Sequence, residues 1–142
     1  MFKRKKSLYL AIIFTISFLS CKKDSGQDNS TISSPFTVKY EVTADKPLVN
    51  GGSFQYTNSA NGLNVDLNTT LPYTKTVTVT STNRPYLLLL YGTGIQLNST
   101  GNVTGKIFIN GIEKASVTIP ANNALFGGAF LTGPLDVKYT VQ

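Results

Sequence analysis

The sequence predicts an all-β domain, a compact antiparallel β-sandwich with Ig-like proportions and about seven or eight strands. Three observations carry that prediction. From Phe36 onward, apolar residues recur with a period of two rather than the helical 3.6. Clusters of Gly, Pro, Asn and Ser break these runs about every 8–12 residues, as turns between short strands do. No stretch of residues 36–142 keeps helical spacing beyond two turns, and the chain's 18 Thr favour pleated backbone, where β-branched side chains pack well.

The strands follow in order. Phe36, Val38, Tyr40 and Val42 alternate with Thr37, Lys39, Glu41 and Thr43; Phe54 and Tyr56 repeat the pattern after Gly51-Gly52. Leu63, Val65 and Leu67 alternate with Asn64, Asp66 and Asn68, and Val77 and Val79 with Thr76, Thr78 and Thr80. Leu87–Leu90 is continuously apolar, which predicts a strand buried on both faces. Ile107-Phe108-Ile109 runs through Asn110-Gly111 into Ile112; Asn-Gly is the strongest two-residue hairpin signal because both residues accept positive φ. Leu135, Val137, Tyr139 and Val141 close the chain. The apolar segment Ala124–Leu131 contains two glycines, Gly127 and Gly128, and leaves two readings open: a bulged core strand, or an exposed loop that docks a partner or lipid.

The charge is concentrated ahead of this domain. The 142 residues carry 13 Lys+Arg, 7 Asp+Glu and a formal charge of +6. Lys3, Arg4, Lys5 and Lys6 precede a mostly apolar run, Ser7–Ser20, that ends at Cys21. A basic n-region, a short apolar h-region and a small residue before the cut are the parts of a secretory signal peptide; a spanning helix needs ~20 apolar residues. Phe18-Leu19-Ser20-Cys21 resembles a bacterial lipobox, with cleavage between Ser20 and Cys21 and a diacylglycerol thioether on Cys21. Residues 1–20 are therefore expected to be the signal peptide, and residues 21–35 the lipidated Cys21 with a polar, flexible tether reaching ~20 Å. Residues 36–142 form the sandwich.

Removing residues 1–20 takes away four cations and no acids, leaving a formal +2. No basic stripe survives for nucleic acid, so no nucleic-acid partner is expected. Lys22 and Lys23 adjoin the anchor, where each adds roughly 1 kcal/mol at an anionic surface. The Ser20-to-Asp24 start resembles Bacteroidota lipoproteins. It implies a lipid-anchored protein of the cell envelope, at the outer membrane, with periplasmic face and cell surface both open.

Within the domain, four segments taken in order resemble the mycobacterial membrane protein small (MmpS) family. They are Lys39–Thr43, Phe54–Asn58, Leu71–Val77 and Ile107–Gly111, and the likeness covers about residues 36–118. Tyr73 stands where the family has Trp, the family's Cys pair is absent around Thr104 and Gly105, and a lipid anchor replaces its membrane helix. The resemblance implies a compact extracytoplasmic sandwich that serves an RND-type exporter or similar envelope assembly as an accessory subunit.

Chemistry is constrained by what is missing. Without His, no Ser-His or Cys-His nucleophile pair and no imidazole metal site can be built, and one Cys closes no internal disulfide. Glu41, Asp45, Asp66, Glu113 and Asp136 fit solvated strand or turn positions, and no acidic cluster or D-x-D-type calcium run occurs. The expectation is a non-enzyme with no metal site and no cofactor beyond the lipid on Cys21. Tyr56, Tyr73, Tyr86 and Tyr91 are the candidate binding residues, able to flank a Thr- and Asn-rich sheet face suited to glycans. Tyr is equally suited to half-buried strand positions with its hydroxyl reaching water. The expected function is an accessory or binding subunit of an envelope or export assembly, with a surface glycan- or ligand-binding lipoprotein as the alternative.

Overall fold

The computed structural model describes residues 31–124 and 127–142. The expected signal peptide, Cys21 and most of the expected tether lie outside these residues. Among these residues, eleven antiparallel strands form two sheets. They are β1 (Phe36–Ala44), β2 (Leu48–Asn50), β3 (Ser53–Thr57), β4 (Leu63–Asp66), β5 (Tyr73–Val79), β6 (Tyr86–Thr93), β7 (Gln96–Leu97), β8 (Gly101–Ile109), β9 (Ile112–Ala124), β10 (Gly128–Leu131) and β11 (Leu135–Val141). A seven-stranded, curled sheet has the order β2-β7-β10-β9-β8-β1-β5, and a four-stranded sheet the order β11-β6-β3-β4. The all-β sandwich is as predicted; the strand count exceeds seven or eight because β2, β7 and β10 are too short to show a period.

The core lies between the sheets. Phe36, Val38, Tyr40 and Val42 of β1 are buried with Leu88 and Leu90 of β6, Leu135 and Val137 of β11, and Ile107 of β8. The β8–β9 hairpin turns at Asn110 (φ 50°) and Gly111 (φ 82°), the positive-φ pair that Asn-Gly predicts. The Asn110 Oδ1 accepts the Thr37 N–H at 2.9 Å, which ties the turn to the start of β1.

At one corner the chain passes from sheet to sheet twice, from β2 to β3 and from β6 to β7. Gly52 allows the close approach there: a Cβ would sit 2.6 Å from the Ile95 Cγ1 and 2.8 Å from the Thr93 carbonyl oxygen. On the side where β4 and β5 form the sheet edges, Asp66 joins them. It accepts the Tyr73 hydroxyl at 3.0 Å and the Lys75 ammonium at 3.3 Å.

Three sequence expectations need correction. Leu87–Leu90 is not buried on both faces: Leu88 and Leu90 are fully buried, whereas Leu87 is 47% exposed, because among the described residues the four-stranded sheet is covered on its inner side alone. The alternation of β4 is inverted. Leu63 and Val65 are 56% and 50% exposed, because the register Val65↔Gln55 and Leu63↔Thr57 puts them on the face opposite the inward-facing Phe54 and Tyr56, and β4 is the edge of its sheet. The Ala124–Leu131 segment is not one interrupted strand. The chain turns back between β9 and β10, with Gly128 opposite Ala124 and Gly127 at φ 77°. Leu125 and Phe126 lie outside the described residues.

Candidate functional site

The four candidate tyrosines do not share a face. Tyr56, Tyr73 and Tyr86 are buried, and each hydroxyl is bonded within the domain. The Tyr86 hydroxyl donates to the Asn58 carbonyl and accepts the Asn61 N–H at 2.9 Å, so it pins the turn between β3 and β4. Its ring meets Phe36 edge-on at 6.3 Å. Tyr73 stacks on Phe54 at 4.7 Å and donates to Asp66; burial pushes its phenol well above the usual range, and the Asp66 bond and charge add to that. Tyr56 accepts a long 3.4 Å bond from Asn64 Nδ2 and lies under the Lys75 ammonium, 5.2 Å from the ring centre. These rings contribute apolar burial while their polar tips are satisfied locally. Tyr91 alone of the four is half-buried and faces outward, in register with Gln55 and Asp136.

The carboxylates are likewise held by local partners. Glu41 pairs with Lys39 at 2.8 Å, Glu113 with Lys106 at 2.8 Å, and Asp136 with Lys138 at 2.7 Å. Asp45 accepts the Asn102 N–H at 2.7 Å and the Asn102 side-chain amide at 3.1 Å, bonds that hold its carboxyl below the usual value. The Lys106 bond does the same for Glu113. Among the described residues, no three His, Cys, Asp or Glu side chains come together in a way that would hold a metal ion.

Tyr91 borders two surfaces that could engage another molecule. The first is a cleft of about 260 Å³ at the far end of β6, lined by Tyr91, Thr93, Ile95, Phe130, Leu131 and Pro134. Phe130 is 50% exposed on one wall, and among the described residues no charged side chain lines the cleft. β10 positions Phe130 by pairing Phe130 with Gln96 of β7 on one side and Asn122 of β9 on the other. The sequence pointed to Tyr91 and, through the exposed-loop reading of Ala124–Leu131, to the segment that holds Phe130, but not to Pro134.

The second surface is the outer side of the four-stranded sheet. The registers place Val65, Gln55, Tyr91 and Asp136 in one row across the sheet, and Leu87 beside Thr140 nearer the start of β6. Leu63 pairs with Thr57, whose hydroxyl accepts the Leu89 N–H at 2.9 Å. Aliphatic side chains therefore stand on β4 and β6, a polar pair on β3 between them, and the Asp136–Lys138 ion pair at the β11 margin. No family model and no curated protein matches this chain.

Proposed function

We propose that this chain is a lipid-anchored, non-enzymatic protein of the bacterial cell envelope, an accessory or binding subunit of an envelope or export assembly at the outer membrane. The observation that carries the reading is the position of the only Cys: it ends a basic-then-apolar leader and is followed by a polar tether and a β-sandwich. Thioether lipidation of Cys21 gives that position a purpose, because several acyl chains anchor a protein stably without any spanning segment. The ordered likeness to MmpS segments supports the accessory role. Carboxylates engaged in local pairs, together with an aliphatic outer sheet face, suit docking better than acid–base chemistry. The test is Cys21→Ser in the native host. The variant is expected to leave the membrane fraction and to lose its complexes in pull-downs; unchanged membrane retention would sink the anchor.

A second reading, a glycan- or ligand-binding lipoprotein, is favoured by the uncharged cleft between Tyr91 and Phe130. Aromatic walls without fixed charge suit the apolar faces of neutral sugars. Because Tyr56, Tyr73 and Tyr86 are core residues, the discriminating variants are Tyr91→Ala and Phe130→Ala. Both are expected to abolish capture on a glycan array while the fold is retained.

A further inference from the structure

The outer face of the four-stranded sheet carries large aliphatic side chains where a solvated sheet normally carries polar ones. Leu63, Val65 and Leu87 are about half exposed, Leu89 and Tyr91 are partly exposed, and Leu67 just beyond β4 is 70% exposed. Exposed apolar groups gathered on one face mark a contact surface, and here two aliphatic columns, Leu63 and Val65 on β4 and Leu87 and Leu89 on β6, flank the polar Gln55 of β3. What lies against this surface is indicated by where the chain arrives. The Ile32 carbonyl accepts from the Arg84 guanidinium at 2.9 Å, the Ser34 hydroxyl donates to the Ser81 carbonyl, and Phe36 meets Tyr86. Tyr86 opens β6, and its hydroxyl holds the Asn58–Gly62 turn that leads into Leu63. The tether, Leu87 and Leu63 thus meet at one end of the sandwich.

Nine residues lie between Cys21 and Thr31, so ten chain steps link the two. They span at most about 35 Å when extended and about 17 Å on average. A domain held that close meets the bilayer at an effective concentration on the order of millimolar, so a weak apolar contact suffices. A few half-exposed aliphatic side chains fall well short of the roughly 800 Å² per partner that a stable protein pair buries. Lys138 and Tyr91 border the aliphatic strip, and such side chains settle at headgroup level beside an apolar face.

Building on the anchor reading, we propose that the Leu63–Val65–Leu87 face rests on the lipid surface of the membrane holding Cys21. The chain has no Trp, so single tryptophans report the contact without background. Full-length lipidated protein carrying Val65→Trp, Leu87→Trp or, on the opposite sheet, Thr118→Trp would be reconstituted into phosphatidylethanolamine/phosphatidylglycerol vesicles with brominated or plain acyl chains. All three positions are solvent-exposed, and circular dichroism verifies the fold of each variant. Brominated lipid is expected to lower emission about twofold or more at positions 65 and 87 and to leave position 118 unchanged. Flotation with vesicles without quenching at 65 and 87 would overturn the proposal and leave the anchor standing. Shielding from iodide without bromine quenching would overturn it in favour of a second copy or a protein partner. Failure to float would remove the anchor itself, and the docking with it.

Discussion

Replacing Tyr86 by Phe removes one oxygen from a fully buried side chain and keeps the ring. That oxygen makes two main-chain bonds across the start of the four-stranded sheet, to the Asn58 carbonyl and from the Asn61 N–H. A typical intramolecular hydrogen bond contributes about 0.5–1.5 kcal/mol net, and leaving a partly buried main-chain group unpaired costs about 1–3 kcal/mol. Water reaches this turn, so the lower part of each range applies, and the two bonds together predict a loss of about 2 kcal/mol. In a domain of this size that lowers Tm by about 8–16 °C. The comparison is Tyr91→Phe on the outer face, where a surface substitution stays within about 0.5 kcal/mol. Urea denaturation of the mature chain carrying Cys21→Ser, with both variants in parallel, measures the difference. Hydrogen exchange localises it, since the Asn61 amide should exchange fastest of all relative to wild type. If the two variants lost the same stability, or if exchange at Asn61 were unaltered, the Tyr86 hydroxyl would not be what holds the β3–β4 turn.

Leu88→Ala is expected to cost about 2–5 kcal/mol in the same denaturation assay and Leu87→Ala under about 1 kcal/mol, because Leu88 alone of the two is fully buried. Gly111→Val forces a β-branched residue to φ 82° and should cost at least about 1–2 kcal/mol, whereas Gly133→Ala, with open space around the new methyl and no positive φ, should be nearly neutral. Asp45 has a folded-state pKa held below its ordinary 3.8 by Asn102, so its stabilisation is present above that value and fades as pH falls through the lowered one. The stability gap between wild type and Asp45→Ala should therefore be constant from pH 7 to pH 5 and close below about pH 4, as followed by urea midpoints across pH.

Period-two alternation exposed β1, β5 and β11 because these strands are long enough to repeat, and Asn110-Gly111 located its hairpin because few residues accept positive φ twice in succession. The same alternation is symmetric between the two faces of a strand. In β4 it marks the strand correctly but is silent on which side is covered; the pairing with β3 decides that, and it turns Leu63 and Val65 outward. Leu87–Leu90 misleads for a related reason. An apolar outer residue is ordinary evidence for a covering layer, and here no sheet among the described residues covers it. Short β2 and β7 carry no period of their own and exist because two longer strands change sheets at Gly52 and Ile95. The tyrosines were visible as residues but not as roles. Whether a phenol braces a turn or meets a ligand depends on carbonyls brought near it by tertiary structure, as Asn58 is brought to Tyr86.

The tether joins the sandwich at the start of β1, and the Tyr91–Phe130 cleft lies at the opposite end, past β6, whose 8 residues extend about 25 Å. A molecule held in the cleft while Cys21 is fixed in a membrane would pull along the strands. β1 is flanked by antiparallel partners on both sides, from Phe36↔Val79 to Val42↔Tyr73 with β5 and from Val38↔Ile109 to Ala44↔Val103 with β8. Ladder hydrogen bonds run perpendicular to the strands, so such a load shears both ladders at once instead of peeling them bond by bond. If Cys21 carries the proposed lipid, the sandwich would take such a load along its strands, with both ladders of β1 resisting together.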